Sequence, residues 1–400
     1  MKRSWKIALL LTASILSYVF VVVSAAMLSQ VFSSVAQIAT AMSIQSILVM
    51  ISILVVVTGV LAVADITLGS HEEKEININD KLKLKGSGQD TLLTTLANHK
   101  IFIPSACGGK ATCGHCKVVV ESGGGDLLPT EKGLLTKQEM KEGVRLACQV
   151  KSREDMKIHL PDDLLEVKEY TAEVVALHDL TRDIKHVKVR LLSPKTIHFR
   201  PGQYVQTLVP GFEAFRAYSV ASPPSQMDTI EFTIRHIPKG LCTTYIHKAL
   251  RVGDKLKFTG PYGHFYLKED SDRPIVCIAG GAGMAPIRSI VSHLKEKNMP
   301  RKVSYYFGAR SKRDLFFEDE LRSIEENYPN FKFYAALSEP APEDNWHGET
   351  GFITDTVRKY EDSLVDAEAY LCGPPPMLDA AVKVLMMKGI SQERVLFDKF

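Results

Sequence analysis

Residues 274–295 read PIVCIAGGAGMAPIRSIVSHLK. Ile275 to Ala279 form an apolar run with no polar interruption, the pattern of a strand buried on both faces of a parallel sheet. Gly280, Gly281 and Gly283 then open a turn, and Met284 begins a helix with Pro286 in its first turn. Ile287, Ile290, Val291 and Leu294 give that helix one apolar stripe. Strand, glycine turn and helix in this order aim backbone N–H groups at an anion, as a pyrophosphate needs. A lone G-G-x-G is weak, but here the alternation continues. VSYYFGARSKRDLFF, FKFYAALSE, TGFITDTVRKY and AYLCGPPPM repeat it, and 377–388 form a last helix. The pattern predicts a doubly wound α/β domain over 269–400 that binds a nicotinamide dinucleotide. Cys372, Gly373 and Pro374 close a strand at the end where such sheets bind ligands, so Cys372 is a candidate contact of the nicotinamide ring. Arg310, Lys312 and Arg313 have two readings, a solvated loop or contacts with the adenosine end.

Upstream, over 166–268, the texture is β-rich: YTAEVVALH, HVKVRLL, QYVQTLV, FTIRHI and KLKFTG, separated by turn residues. This predicts a small antiparallel barrel. RAYS, Arg216 to Ser219, lies between PGQY (201–204) and GPYG (260–263). Arg216 suits a pyrophosphate, Tyr218 a ring or ribityl chain, and Ser219 the redox-active edge of a flavin. Gly240, Cys242 and Thr243 in KGLCTTY open a helix whose N–H groups suit a second phosphate. The order of these motifs is that of the flavin barrel of the ferredoxin reductase superfamily. Cys242 is expected to contribute only its backbone there, and Cys277 to be core.

Residues 107–116 read CGGKATCGHC, and RLACQV supplies Cys148. The spacing C-x5-C-x2-C-x31-C has one tight pair, whereas structural zinc prefers two. Plant-type ferredoxins hold a 2Fe–2S cluster with C-x4-C-x2-C and a distant fourth cysteine. Cys107, Cys113, Cys116 and Cys148 are therefore the candidate cluster ligands. Gly108, Gly109 and Gly114 let the backbone wrap closely around a bulky anionic group. His115 reads as a solvated loop residue. Alternating ININDKLKLKG and helical TLLTTLANHKI place the cysteines in a β-grasp ferredoxin-like domain over 71–165.

No residue from Ile7 to Ala64 is charged. Segments 7–28 and 47–64 are long enough to span a bilayer, with SQVFSSVAQIATAMSIQS as a short connection. They predict an N-terminal transmembrane hairpin over 1–70. Lys2, Arg3 and Lys6 put both ends, and the catalytic domains, on the cytoplasmic side of an inner membrane. A signal peptide ending near VSAA is the alternative for the first segment. Neither segment carries an ionisable side chain, which makes them anchors or partner contacts, not an ion path. The seven cysteines are an odd count, and three sit in apolar runs, which argues for reduced thiols over a disulfide framework. A net charge of +3 over 400 residues shows no basic stripe for nucleic acid.

Across 75–400 the chain resembles the F subunit of the sodium-translocating NADH:quinone reductase. SACGGKATCGHCKV, SGGGDLLPTE, EGVRLACQV, RAYS, GGAGMAPIRS, YFGARSKRDLFF, ALSEPAPEDNWHGETGFI and CGPPPM carry the likeness. The resemblance implies that NADH passes hydride to FAD, and that single electrons go on to a 2Fe–2S centre and to membrane subunits that reduce a quinone. Flavin joins a two-electron donor to a one-electron acceptor, and hydride transfer asks chiefly for close alignment of donor and acceptor. The C-terminal aromatic that covers the flavin ring in that family maps to Phe400. Two features depart from it. Two spans are expected where the family has one, and only VQTLVPGFEAF separates PGQY from RAYS, where the family has a long insertion. Sodium translocation is therefore one option for the complex. The reductase component of a multicomponent oxygenase is a second reading, and a non-catalytic membrane redox sensor a third.

Overall fold

A computed structural model of the chain describes residues 12, 14–24, 36–68, 73–208 and 215–399. It forms two compact units, 1–72 and 73–400.

The expected transmembrane hairpin is not found. Among the described residues no helix is long and apolar enough to cross a membrane. The segment 7–28 is described only at 12 and 14–24, which are helical. Over 47–64 the chain is a single helix, α1 (Ala36–Leu68), of 33 residues. The predicted connection is also corrected: 36–46 is helix, because AQIATAMSIQS holds no glycine or proline and several strong helix formers.

The second unit contains three sheets. The first joins β1 (Glu73–Ile78), β2 (Leu82–Ser87), β3 (Lys117–Ser122), β4 (Val144–Leu146) and β5 (Met156–His159) in the order β2-β1-β5-β3-β4. Helix α2 (Leu92–Asn98) is capped by Thr91 and buries Leu92 and Leu96 with Ile76, Ile78, Leu146 and Ile158. The sheet is mixed, with β1 and β5 parallel and β1–β2 and β3–β4 antiparallel, the β-grasp arrangement the alternation predicts.

The second sheet is antiparallel. It comprises β6 (Lys168–Asp179), β7 (Ile184–Ser193), β8 (Tyr204–Leu208), β9 (Phe215–Ser219), β10 (Thr229–Arg235) and β11 (Lys255–Tyr262). Its order is β10-β7-β6-β11-β8-β9. The two edges nearly meet: just beyond β9, Ala221 N–H donates to Glu231 O on β10 at 2.7 Å. Val174, Val187, Val189, Ile230, Phe232 and Phe258 fill this barrel.

The third sheet is wholly parallel: β12 (Ile275–Gly280), β13 (Val303–Ala309), β14 (Phe331–Leu337), β15 (Glu349–Thr350), β16 (Glu368–Gly373) and β17 (Val395–Lys399). Its order, β15-β14-β13-β12-β16-β17, reverses direction at β12. Every residue of β12 and β16 is buried. Ile275, Cys277 and Ala279 face one core, with Ile287, Ile290 and Leu294 of the helix that follows β12. Val276 and Ile278 face the other, with Leu378, Val384 and Leu385 of the last helix. Strand alternation thus feeds two cores at once, which explains the uninterrupted apolar run. The barrel and this sheet are joined by a buried ionic cluster. Arg288 donates to Glu231 Oε2 at 2.8 Å and reaches Glu320 Oε2 at 3.1 Å, while His186 and Lys188 contact the same Glu231 at 3.1 and 3.0 Å.

Candidate functional site

The cysteine loop is held by its own backbone. Gly108, Gly109, Ala111 and Gly114 all have positive φ, and Ser105 accepts from Gly108 N and Gly109 N. Cys113 Sγ lies 3.4 Å from Cys107 Sγ. The 31-residue gap to the fourth cysteine is closed by the β3–β4 pairing: Lys117 faces Leu146, and Ala147 N–H donates to Cys116 O at 2.8 Å. That register brings the Cys116 and Cys148 thiols within hydrogen-bonding reach. Arg145 anchors the same strand end. It pairs with buried Glu131 at 2.7 Å and donates to the carbonyls of Gly124, Gly125 and Asp126, which fixes the SGGGD turn.

Two pairs of sulfurs thus face the loop. Among the described residues, no three His, Cys, Asp or Glu side chains form a group that could hold a single metal ion. A mononuclear zinc site needs its donors on one point. Two-plus-two sulfurs suit a two-iron cluster, which takes two cysteines per iron. Burial raises the Cys107 thiol, yet the N–H groups of Thr112, Cys113 and Lys110 and the Cys113 thiol outweigh it and bring it down to about 7. The Cys116 thiol donates to Cys148 and brings it down to about 6, while Cys113 and Cys116 are pushed up. Each pair therefore has one sulfur poised as thiolate, the form that ligates metal. His115 is exposed at the loop surface, and partial desolvation and then Lys117 push its imidazole down.

The barrel brings RAYS and the KGLCTTY helix together. Tyr218 is half-buried, its hydroxyl meets the Cys242 thiol, and Arg216 lies within electrostatic reach of both. Burial pushes the Tyr218 phenol far up. Arg216 donates to Phe215 O at 2.7 Å. Gly240 caps α3 (Leu241–Lys248), and no side chain caps that helix, so its first N–H groups face outward. Thr243 Oγ1 is already bonded to Ile237 N and O at 3.1 and 3.2 Å, which leaves only its N–H for a ligand. Cys242 is 2% exposed and offers no side-chain donor to solvent. Ser219 is half-buried at the end of β9, opposite Tyr204 of β8.

At the topological reversal of the parallel sheet, Gly280, Gly281 and Gly283 meet Cys372 and Gly373. A side chain on Gly283 would begin 2.1 Å from Cys372 O, whereas nothing lies within 4 Å of where one would begin on Gly281, whose φ is +57°. Gly281 thus borders open space at the start of α4 (Met284–Glu296), a cradle for an anion. Met284 turns its side chain inward, with Sδ 2.8 Å from the Tyr305 hydroxyl, so only its backbone faces the turn. Cys372 is fully buried and its thiol is raised by burial and then by Asp398. Pro374 caps α7, the last helix of the sheet (Pro375–Met387; α5, Glu318–Asn327, and α6, Ile353–Tyr360, precede it). Arg310 is exposed one strand away, its carbonyl accepting from Glu339 N at 2.7 Å. Phe400 lies outside the described residues.

One acid was missed. Asp398 sits in register beside Cys372 on the neighbouring strand, and burial raises its carboxyl to about 6. The only sequence signal was an acid within two residues of the chain's last aromatic.

Three family models match in the same order. The 2Fe-2S iron-sulfur cluster binding domain covers 76–153, the oxidoreductase FAD-binding domain 171–266 and the oxidoreductase NAD-binding domain 277–383. The F subunit of the Na(+)-translocating NADH-quinone reductase of Klebsiella pneumoniae is 37% identical over 397 residues, covering 87% of this chain and 97% of that protein. Its counterpart in Neisseria meningitidis serogroup C is 37% identical over 401 residues, 88% of this chain and 98% of its own. Among solved structures, the Amycolatopsis cytochrome P450 reductase GcoB matches at TM-score 0.68 and 30% identity, over 82% of this chain and 98% of that one. The ferredoxin reductase in carbazole 1,9a-dioxygenase matches at TM-score 0.64 and 28% identity, with the same coverage.

Proposed function

The chain belongs to the family of the F subunit of the Na(+)-translocating NADH-quinone reductase, and from that membership we propose that it is the NADH-oxidising, electron-delivering component of a membrane quinone-reducing complex. The observation that carries this reading is the presence, within one compact unit, of a dinucleotide cradle, a flavin-suited barrel and a two-plus-two cysteine loop. FAD, when bound, takes a hydride and gives up electrons one at a time, and a 2Fe–2S cluster takes one. The chain's own residues do the rest. Arg216 and the N–H groups opening α3 hold pyrophosphate, Tyr218 packs on the cofactor, and Ser219 donates at the flavin's reactive edge. Gly280, Gly281 and Gly283 admit the dinucleotide, Arg310 lies toward its adenosine end, and Gly373 and Pro374 shape the nicotinamide pocket beside Cys372. By the family resemblance, Phe400 is the residue that would shield a bound flavin before NADH enters. Cys107 with Cys113, and Cys116 with Cys148, hold the two irons.

Membrane attachment belongs to α1. Ile53, Leu54, Val56, Val57, Val60 and Leu61 stand exposed along it, an apolar surface suited to lipid. Partners are the other subunits of the complex, and the quinone is reached through them. Full-length protein should sediment with membranes and a chain starting at Glu73 should not; equal distribution of the two removes the anchor.

A second reading, a reductase serving an oxygenase, draws on the reductase structures matched above and on the short link from β8 to β9. An anaerobic NADH titration tests the core reading: the flavin should bleach and the reduced cluster should become EPR-active. Bleached flavin beside a permanently oxidised cluster would overturn it. Copurification with membrane subunits, as opposed to a soluble oxygenase, separates the two readings.

A further inference from the structure

Tyr204, the last residue of PGQY, is unused by the reading above, and the fold gives it an unusual position. It opens β8 and is the cross-strand neighbour of Ser219 on one side and of Tyr262 on the other. Residues directly opposite on neighbouring strands share a face, so the Tyr204 ring stands beside the serine assigned to the flavin's reactive edge. Its centroid is 5.7 Å from that of Tyr262, the planes tilted by 34°. The third side is closed by Gly263, at φ +103°, where a side chain would begin 3.0 Å from Tyr204 Cδ1 and Cε1. The strand start is pinned as well: Gln203 donates to Gly263 O at 3.2 Å and accepts from Arg200 N at 2.8 Å.

Tyr204 also packs with the cysteine module. Phe102, five residues before Cys107, packs with Val167, Tyr262, Leu164 and Tyr204 in one small apolar cluster between the ferredoxin-like module and the barrel. Burial raises the Tyr204 phenol, and the next contributions come from Asp398 and from Cys113 itself. One aromatic ring thus stands beside a flavin-edge residue and packs in the cluster that holds Phe102 of the cysteine module.

We infer that Tyr204 is the positioning residue of the flavin-to-cluster step: its ring lies between Ser219 and Phe102 of the cysteine module and sets the electronic coupling between flavin and cluster. The step forms and breaks no bond. One electron leaves the flavin and one arrives at the cluster, and NADH supplies the pair. The inference rests on the function proposed above. A ring that served only as packing between the modules would act on stability and on both kinetic phases alike.

The test is anaerobic stopped-flow reduction of full-length protein by NADH, following flavin and cluster bleaching separately, for wild type, Tyr204→Leu and Tyr204→Phe. Iron content and both midpoint potentials are measured in parallel. In Tyr204→Leu the flavin phase and the potentials should match wild type, while cluster bleaching slows by about tenfold or more, the scale on which ångström-level misplacement costs rate. Tyr204→Phe, which keeps the ring, should restore it. Cluster bleaching as fast in Tyr204→Leu as in wild type overturns the inference. So does parallel slowing of both phases, or a shifted potential. If Tyr204→Leu does not load cofactors, Tyr204→Met, of similar bulk but without a ring, decides by the same criteria. A wild-type protein whose cluster stays oxidised would instead sink the functional reading beneath.

Discussion

The chemistry at the sheet edge turns on one carboxyl group. Asp398 shares a β-ladder register with Cys372, and its burial leaves the acid favoured over the carboxylate up to about pH 6. Its folded value lies above the ordinary 3.8, so protonation favours the native state. Stability should therefore rise as pH falls through about 6 and gain nothing more below the ordinary value. Urea midpoints measured from about pH 4 to 7 should show this slope in wild type and lose it in Asp398→Asn. An identical slope in both places the titration elsewhere. Asp398 was illegible beforehand because a short FDKF tail, taken alone, looks like a solvated end. The candidate cluster cysteines could be chosen from the chain alone, since a spacing is a property of the chain itself. Their division is not such a property: Cys116 meets Cys148 through the β3–β4 register, and Cys107 meets Cys113 through the fold of the loop.

Among the elements, the glycine turn after β12 shows two kinds of glycine in one motif. Gly283 is required by packing, because any side chain there would strike the carbonyl of Cys372. Gly281 is required by conformation and by the ligand, because it is left-handed and borders open space. Gly281→Ala should fold with a loss of about 1 kcal/mol from the left-handed backbone, keep its flavin and cluster, and show a raised KM for NADH. Gly283→Ala should lose the fold of the nicotinamide domain, seen as a lower Tm and lost NADH turnover. Equal behaviour of the two variants would contradict this division. The helical and alternating periods were readable in advance, as in the run from Ile275 to Ala279. The two sorts of glycine were not, because the difference lies in what comes from β16, some ninety residues later.

At the scale of the whole molecule, the approach of nicotinamide to flavin depends on how the barrel and the parallel sheet are clamped. Glu231 is 6% exposed and holds Arg288, His186 and Lys188 together, and Phe317 covers Arg288 at 4.5 Å. Removing one member of a buried ionic group leaves the others uncompensated. Glu231→Gln should cost about 3 kcal/mol in urea unfolding and slow flavin bleaching by NADH, while the iron content stays unchanged. A loss of iron instead would mean that the clamp supports the ferredoxin-like module. The order of modules, the cysteine spacing, the barrel motifs and the strand–glycine–helix unit were determined by the sequence alone, because each depends on residues close together in the chain. The pairing of sulfurs, the placement of Asp398 beside Cys372, the Glu231–Arg288 clamp and the position of Tyr204 between Ser219 and Phe102 were decided only by tertiary structure. Each joins residues from different strands or modules, and strand register and sheet order, which local pattern does not specify, are what bring them into contact.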